Sequence, residues 1–123
     1  AAISACEKCG QWEKGLQLLD HMQQHGVEPD VITFSATISA CEKGGQWEKA
    51  LQLLDTMIQH GLEPNIVSYS AAISACEKGG QWEKALQLFQ EIKQNGMQPN
   101  VITFGATISA CEKGGQWERA LQL

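Results

Sequence analysis

The residues with the widest chemical range in this chain are its five cysteines and three histidines. Cys6-Glu7-Lys8-Cys9 spells C-x-x-C, the spacing of a dithiol redox pair or of half a zinc site. A redox pair of that form accompanies a βαβ pattern, and no such pattern flanks it here. Zinc would need two further ligands close by. His21 and His25 stand four residues apart. On a helix that spacing turns both rings to one side, where they could share a metal. No Glu or third ligand follows at a known spacing, so a solvated helix face is the simpler reading. There is no Ser/His/Asp arrangement, no phosphate-cradling glycine loop and no carboxylate pair set apart from its surroundings. The expectation is a chain with no catalytic centre, no metal and no cofactor.

What must position these residues is a repeat. Cys41-Glu42-Lys43-Gly44-Gly45-Gln46-Trp47-Glu48-Lys49 recurs letter for letter at 76–84, and at 111–119 with Arg119 as the one change. A fourth copy at 6–14 differs by Cys9 in place of glycine. Trp12, Trp47, Trp82 and Trp117 are each 35 residues apart. A period of that length is the mark of one supersecondary unit stacked on itself. Cys9 therefore stands at a glycine position, and Glu48 and Glu83 belong to the period and not to a unique site. Residues 31–65 and 66–100 make two full repeats. Residues 1–30 and 101–123 are partial repeats of the same continuous array. The incomplete outer copies suggest a piece of a longer array, whose cut ends could associate with each other through bared apolar helix faces.

Within 31–65, Val31, Phe34, Ile38 and Cys41 share one helical face. Asp30 is placed to cap that helix and Gly44-Gly45 to stop it, since glycine tolerates left-handed backbone angles. A second helix starts near Gln46. Its apolar residues Trp47, Ala50, Leu51, Leu54, Met57 and Ile58 again share a face. Gly61 closes it and Pro64 prevents its continuation. The unit is two antiparallel helices, and the fold class is all-α. A lone hairpin leaves its apolar faces half covered, so stability should come from packing between repeats. Cys6, Cys41, Cys76 and Cys111 share the apolar side of the first helix, which suits small buried packing groups. Helices ~8–10 Å apart would hold neighbouring copies too far apart for a disulfide.

The same residues resemble a pentatricopeptide repeat. The family's opening is similar to Val31-Ile32-Thr33-Phe34-Ser35 and Ile66-Val67-Ser68-Tyr69-Ser70. Its second helix is similar to Trp47-Glu48-Lys49-Ala50-Leu51-Gln52-Leu53-Leu54-Asp55-Thr56-Met57, and its ending to Gly61-Leu62-Glu63-Pro64-Asn65. The tetratricopeptide repeat has a period of 34 and lacks this ending. The resemblance implies a right-handed α-solenoid that binds single-stranded RNA, one base per repeat, along the groove of its first helices. It also implies a role in organelle RNA processing, in mitochondrion or chloroplast.

By that resemblance the fifth and last residues of a repeat choose the base. The complete pairs are Ser35 with Asn65 and Ser70 with Asn100. A small hydroxyl with Asn is associated with adenine, so two adjacent adenines are the expected readout. Asn supplies one donor and one acceptor, which matches adenine's Watson–Crick edge. Asp30, an acceptor when ionised, would suit guanine or uracil. Gly105, at the fifth place of the last copy, has no side chain with which to read. Ile32, Val67 and Ile102 would clamp bases, and Lys8, Lys43, Lys78 and Lys113 would meet phosphates. Plainer roles are open to all of them: helix caps for Asp30, Asn65 and Asn100, solvated helix residues for Ser35 and Ser70, and neutral surface pairs between each lysine and its adjacent glutamate.

The chain carries a net charge of −5 and a pI of about 5.1, which argues against holding nucleic acid by charge alone. The acidity favours a second expectation, a protein-interaction scaffold. No apolar run approaches membrane-spanning length, so no membrane partner is expected.

Overall fold

In this computed structural model, residues 12–116, 118 and 119 are described. Six helices of 13 residues each are bounded among them: α1 Trp12–Gln24, α2 Val31–Lys43, α3 Trp47–Gln59, α4 Ile66–Lys78, α5 Trp82–Gln94 and α6 Val101–Lys113. Equal lengths follow from equal punctuation. Each first helix begins after a capping Asp or Asn and ends on a Gly-Gly pair. The two glycines do different work. Gly45 alone takes a left-handed backbone, at φ 72°. That lets Gln46 N–H donate to Cys41 O at 2.8 Å and Gly45 N–H to Glu42 O at 3.1 Å, closing the helix by a Schellman motif. Gly44 sits at φ −84°, which any residue could adopt.

The first glycine is there for room. A Cβ on Gly79 would lie 2.6 Å from Trp47 Cγ and 2.9 Å from its Nε1. The same clash would arise between Gly44 and Trp12, and between Gly114 and Trp82. Trp12, Trp47 and Trp82 thus each lie flush against the first-helix end of the following repeat. Lys49 Nζ covers the Trp12 ring at 5.5 Å, and Arg119 covers Trp82 at 5.4 Å.

The helices form two layers. The first helices α2, α4 and α6 pack on one another in sequence. The second helices α3 and α5 pack against the first helices on either side and α1 packs against α2, whereas the second helices meet one another only through long side chains such as Lys49 on Trp12. Closer spacing in the first-helix layer makes that side the concave one. The core lies between the layers and runs through the array: Phe34, Ile38, Leu54, Met57, Tyr69, Ile73, Phe89 and Ile92 are all buried. Trp47 and Leu51, expected in the core, are half-buried at its edge.

Cys41, Cys76 and Cys111 are buried free thiols, as their helix face requires. Burial pushes Cys41 and Cys76 up to about 11, against a weak opposing pull from Lys49 and Lys84, and raises Cys111 as well. Since the thiolate is the nucleophile, these groups should be inert in the folded chain. With Cys6 and Cys9 changed to serine, a thiol reagent at pH 8 is expected to label the native protein far more slowly than the denatured one. Equal rates would show the thiols to be accessible.

Candidate nucleic-acid interface

The second residues of the first helices are the most unusual feature of this surface. Ile32, Val67 and Ile102 are 73%, 54% and 59% exposed, although each is a large branched hydrophobe. The core makes no use of them. They recur once per repeat on successive helices of the concave layer, so they form a ladder of apolar edges open to solvent.

Beside this ladder stand the helix caps. Asp30, Asn65 and Asn100 precede α2, α4 and α6 in extended backbone. In each the side-chain oxygen accepts from the backbone N–H three residues on, Thr33, Ser68 or Thr103, at 2.9 Å. Thr33 Oγ1 donates to the same Asp30 oxygen at 2.8 Å. Those bonds favour the ionised carboxylate and lower the Asp30 pKa. The capping bond also orients the amides. A backbone donor demands oxygen, so Asn65 and Asn100 turn Oδ1 toward their helix and Nδ2 away from it.

The fifth residues lie deeper than a solvated helix residue would. Ser35 is 4% and Ser70 8% exposed, set in the seam where adjacent first helices meet. Ser35 Oγ is 2.6 Å from Ser68 Oγ and 3.5 Å from Asn65 Oδ1. The fifth and last places of one repeat are therefore brought together, which spacing alone could not show. Ser70 Oγ is buried with no hydrogen-bond partner. Gly105 is exposed, with nothing near the place a Cβ would occupy.

Lys78 and Lys113 close ion pairs between repeats. Lys78 Nζ bonds Glu42 Oε2, and Lys113 Nζ lies 2.7 Å from Glu77 Oε2. The lysine heads remain half exposed while the glutamates are largely covered. Lys43 is exposed at the same helix end, and Lys8 lies outside the described residues, as do Cys6 and Cys9. His21 and His25 are exposed, with ring centroids 4.2 Å apart. No cluster of three metal-ligating side chains occurs among the described residues, and none of their helices is long and apolar enough to cross a membrane.

Sequence reasoning passed over the third residues, Thr33, Ser68 and Thr103. The signal was present as Asp/Asn-x-x-Ser/Thr at each first-helix start, a hydroxyl variant of the capping box.

Comparison with known proteins agrees with this architecture. A pentatricopeptide repeat domain profile matches residues 17–79, a PPR repeat family profile 66–113 and a PPR repeat profile 1–27. No curated protein matches the chain significantly. The crystal structure of PPR10 from maize superposes with a TM-score of 0.83 at 29% identity, over 98% of this chain and 17% of that one. PPR10 in complex with an 18-nt psaJ RNA element gives 0.73 at 21% identity, over 90% of this chain and 16% of that one. The PPR domain of Arabidopsis thaliana protein-only RNase P 1, in complex with tRNA, gives 0.87 at 18% identity, over 98% and 64%. The chain thus spans about a sixth of PPR10 and less than two thirds of the RNase P 1 domain. Its period, its two helical layers and the profile over residues 17–79 make it a member of the pentatricopeptide repeat family.

Proposed function

We propose that this chain binds single-stranded RNA, one base per repeat, with adenine favoured by the Ser35–Asn65 and Ser70–Asn100 pairs. The observation that carries the reading is the exposed ladder of Ile32, Val67 and Ile102 beside oriented caps. Flat bases fit between branched apolar edges at one-repeat intervals, and stacking of this kind is indifferent to sequence. Selection then falls to the caps. The outward Nδ2 of Asn donates to a ring nitrogen acceptor such as adenine N1. The outward oxygen of Asp30 accepts from a ring N–H, as guanine and uracil provide. One atom thereby decides the class of base. The RNA in the PPR10 and RNase P 1 structures supports the same use of the fold.

Two bases at roughly 1–3 kcal/mol each fall short of the 8 kcal/mol that micromolar affinity needs. This chain should bind more weakly than that. Titration of A-rich and U-rich single-stranded RNAs, followed by NMR at high protein concentration, tests the reading. The A-rich oligomer is expected to bind more tightly. Equal binding would overturn the base assignment, and a peptide-binding groove indifferent to RNA would leave the scaffold reading. Lys78→Gln should weaken all sequences alike and reduce the salt slope by about one. Charge reversal at Lys78 is the poorer probe, because it would set a carboxylate against Glu42.

A further inference from the structure

The two Ser/Asn pairs are identical in sequence and different in structure. In the first, Ser35 Oγ, Ser68 Oγ and Asn65 Oδ1 form a closed cluster. Ser35 and Ser68 lie 2.6 Å apart, Ser68 Oγ lies 3.0 Å from Asn65 Oδ1, and that oxygen also accepts from Ser68 N–H. Ser35 Oγ reaches the same oxygen at 3.5 Å. Both the hydroxyl proton of Ser35 and the lone pairs of Asn65 are spent within the protein. In the second, the residue in the place of Ser68 is Thr103. As Ser68 Oγ accepts from Asn65 N–H at 3.2 Å, Thr103 Oγ1 accepts from Asn100 N–H at 2.9 Å, but it donates to Asn100 O at 2.9 Å and not to the side chain of its cap. Asn100 Oδ1 then accepts only from Thr103 N–H, and Ser70 Oγ is left buried without a partner.

We infer that the third residue of a repeat sets how sharply the preceding pair discriminates its base, so that Ser70–Asn100 selects more strongly than Ser35–Asn65. The inference rests on the RNA reading above and adds Ser68 and Thr103 to it as positioning residues, which act through the pair and not on the base. The reason is the cost of switching partners. Ser35 must break a bond in the protein before it can turn to a ligand. Ser70 has none to break, and its buried, unmet hydroxyl is satisfied when a ligand that offers a partner parts the seam. A polar group that goes unpaired with the wrong ligand is a strong discriminator. One net hydrogen bond corresponds to a several-fold difference in affinity, up to about tenfold.

Two measurements test this. The first needs no RNA. Ser35→Ala should lower the urea midpoint of unfolding, because it breaks the cluster, whereas Ser70→Ala should leave it unchanged or raise it. The reverse order would overturn the asymmetry. The second reads base penalties by NMR titration of single-stranded oligomers substituted one nucleotide at a time. The nucleotide belonging to each pair is the one whose penalty disappears in Ser35→Ala or Ser70→Ala. The larger penalty is expected at the Ser70 nucleotide. Ser68→Thr, which sets three places after Asn65 the residue found three places after Asn100, should raise the Ser35 penalty several-fold and leave the other unchanged. Thr103→Ser should lower the Ser70 penalty. Equal penalties untouched by either swap, in a chain that still selects bases, would overturn the inference and leave the proposed function standing. Loss of all base dependence in the unaltered chain would overturn both.

Discussion

Replacing Phe89 with alanine will lower the unfolding free energy by about 3–5 kcal/mol, the range for a fully buried aromatic. Phe89 has no exposed surface and stands where the preceding repeat has Leu54. Its ring meets Phe104 edge-on, with centroids 5.0 Å apart, so it is a main link between α5 and the last first helix, α6. Lys93 Nζ lies over the same ring at 5.2 Å. Such an edge-to-face pair contributes roughly 0.5–1.5 kcal/mol beyond area burial. In a stack whose units touch only their neighbours, losing this link should free α6 before the rest unfolds. Amide exchange in α6 is therefore expected to accelerate much more than in α2. Phe89→Leu, which restores the side chain found at 54, should cost less than about 1.5 kcal/mol. A uniform rise in exchange across all helices would show instead that the array opens as one unit.

The next largest effect belongs to a residue with no side chain. Gly79→Ala should destabilise the chain by about 1–3 kcal/mol, the usual cost of forcing one methyl group into filled space. At φ −86° the backbone accepts alanine, so strain in the main chain is not the cause. The cause is the Trp47 ring from the preceding repeat, which a Cβ would enter. A double-mutant cycle separates the two explanations. In a Trp47→Ala background the cost of Gly79→Ala should vanish, and a cost that persists would point to the backbone. Gly105→Ala gives the opposite sign. That glycine is inside α6 with open space around it, so alanine should stabilise by roughly 0.5–1 kcal/mol. Chemical denaturation followed by tryptophan fluorescence and by circular dichroism reads all three.

These examples mark the reach of sequence reasoning. Helix type and order were legible because each repeat carries its own punctuation: a cap, a Gly-Gly stop, and a Gly with a following Pro. The apolar faces were legible because a helix repeats every 3.6 residues. Gly44 reads in the sequence as part of the helix stop, yet of the pair only Gly45 needs a left-handed angle. The first glycine answers to a tryptophan 32 residues earlier, and nothing local announces that. The ion pair of Lys78 is hidden from spacing for the same reason: Glu42 and Lys78 are 36 residues apart and meet only when repeats stack. Of the candidate interface, the caps were readable from Asp/Asn at a helix start. The burial of Ser35 and Ser70 was not, because a serine looks the same on an open face and in a seam.

The sequence by itself determined a 35-residue helical hairpin, its repetition and its family, since those depend on local propensity and period. Only the tertiary structure decided which hydroxyls are spent. Ser35 and Ser70 occupy equivalent places, yet one is bonded and the other is not. The difference comes from the bond donated by a hydroxyl in the following repeat, that of Ser68 in one case and of Thr103 in the other. Both hydroxyls accept from the N–H of their cap, but Ser68 donates to the Asn65 side chain and meets Ser35, whereas Thr103 donates to the Asn100 carbonyl and leaves Ser70 alone.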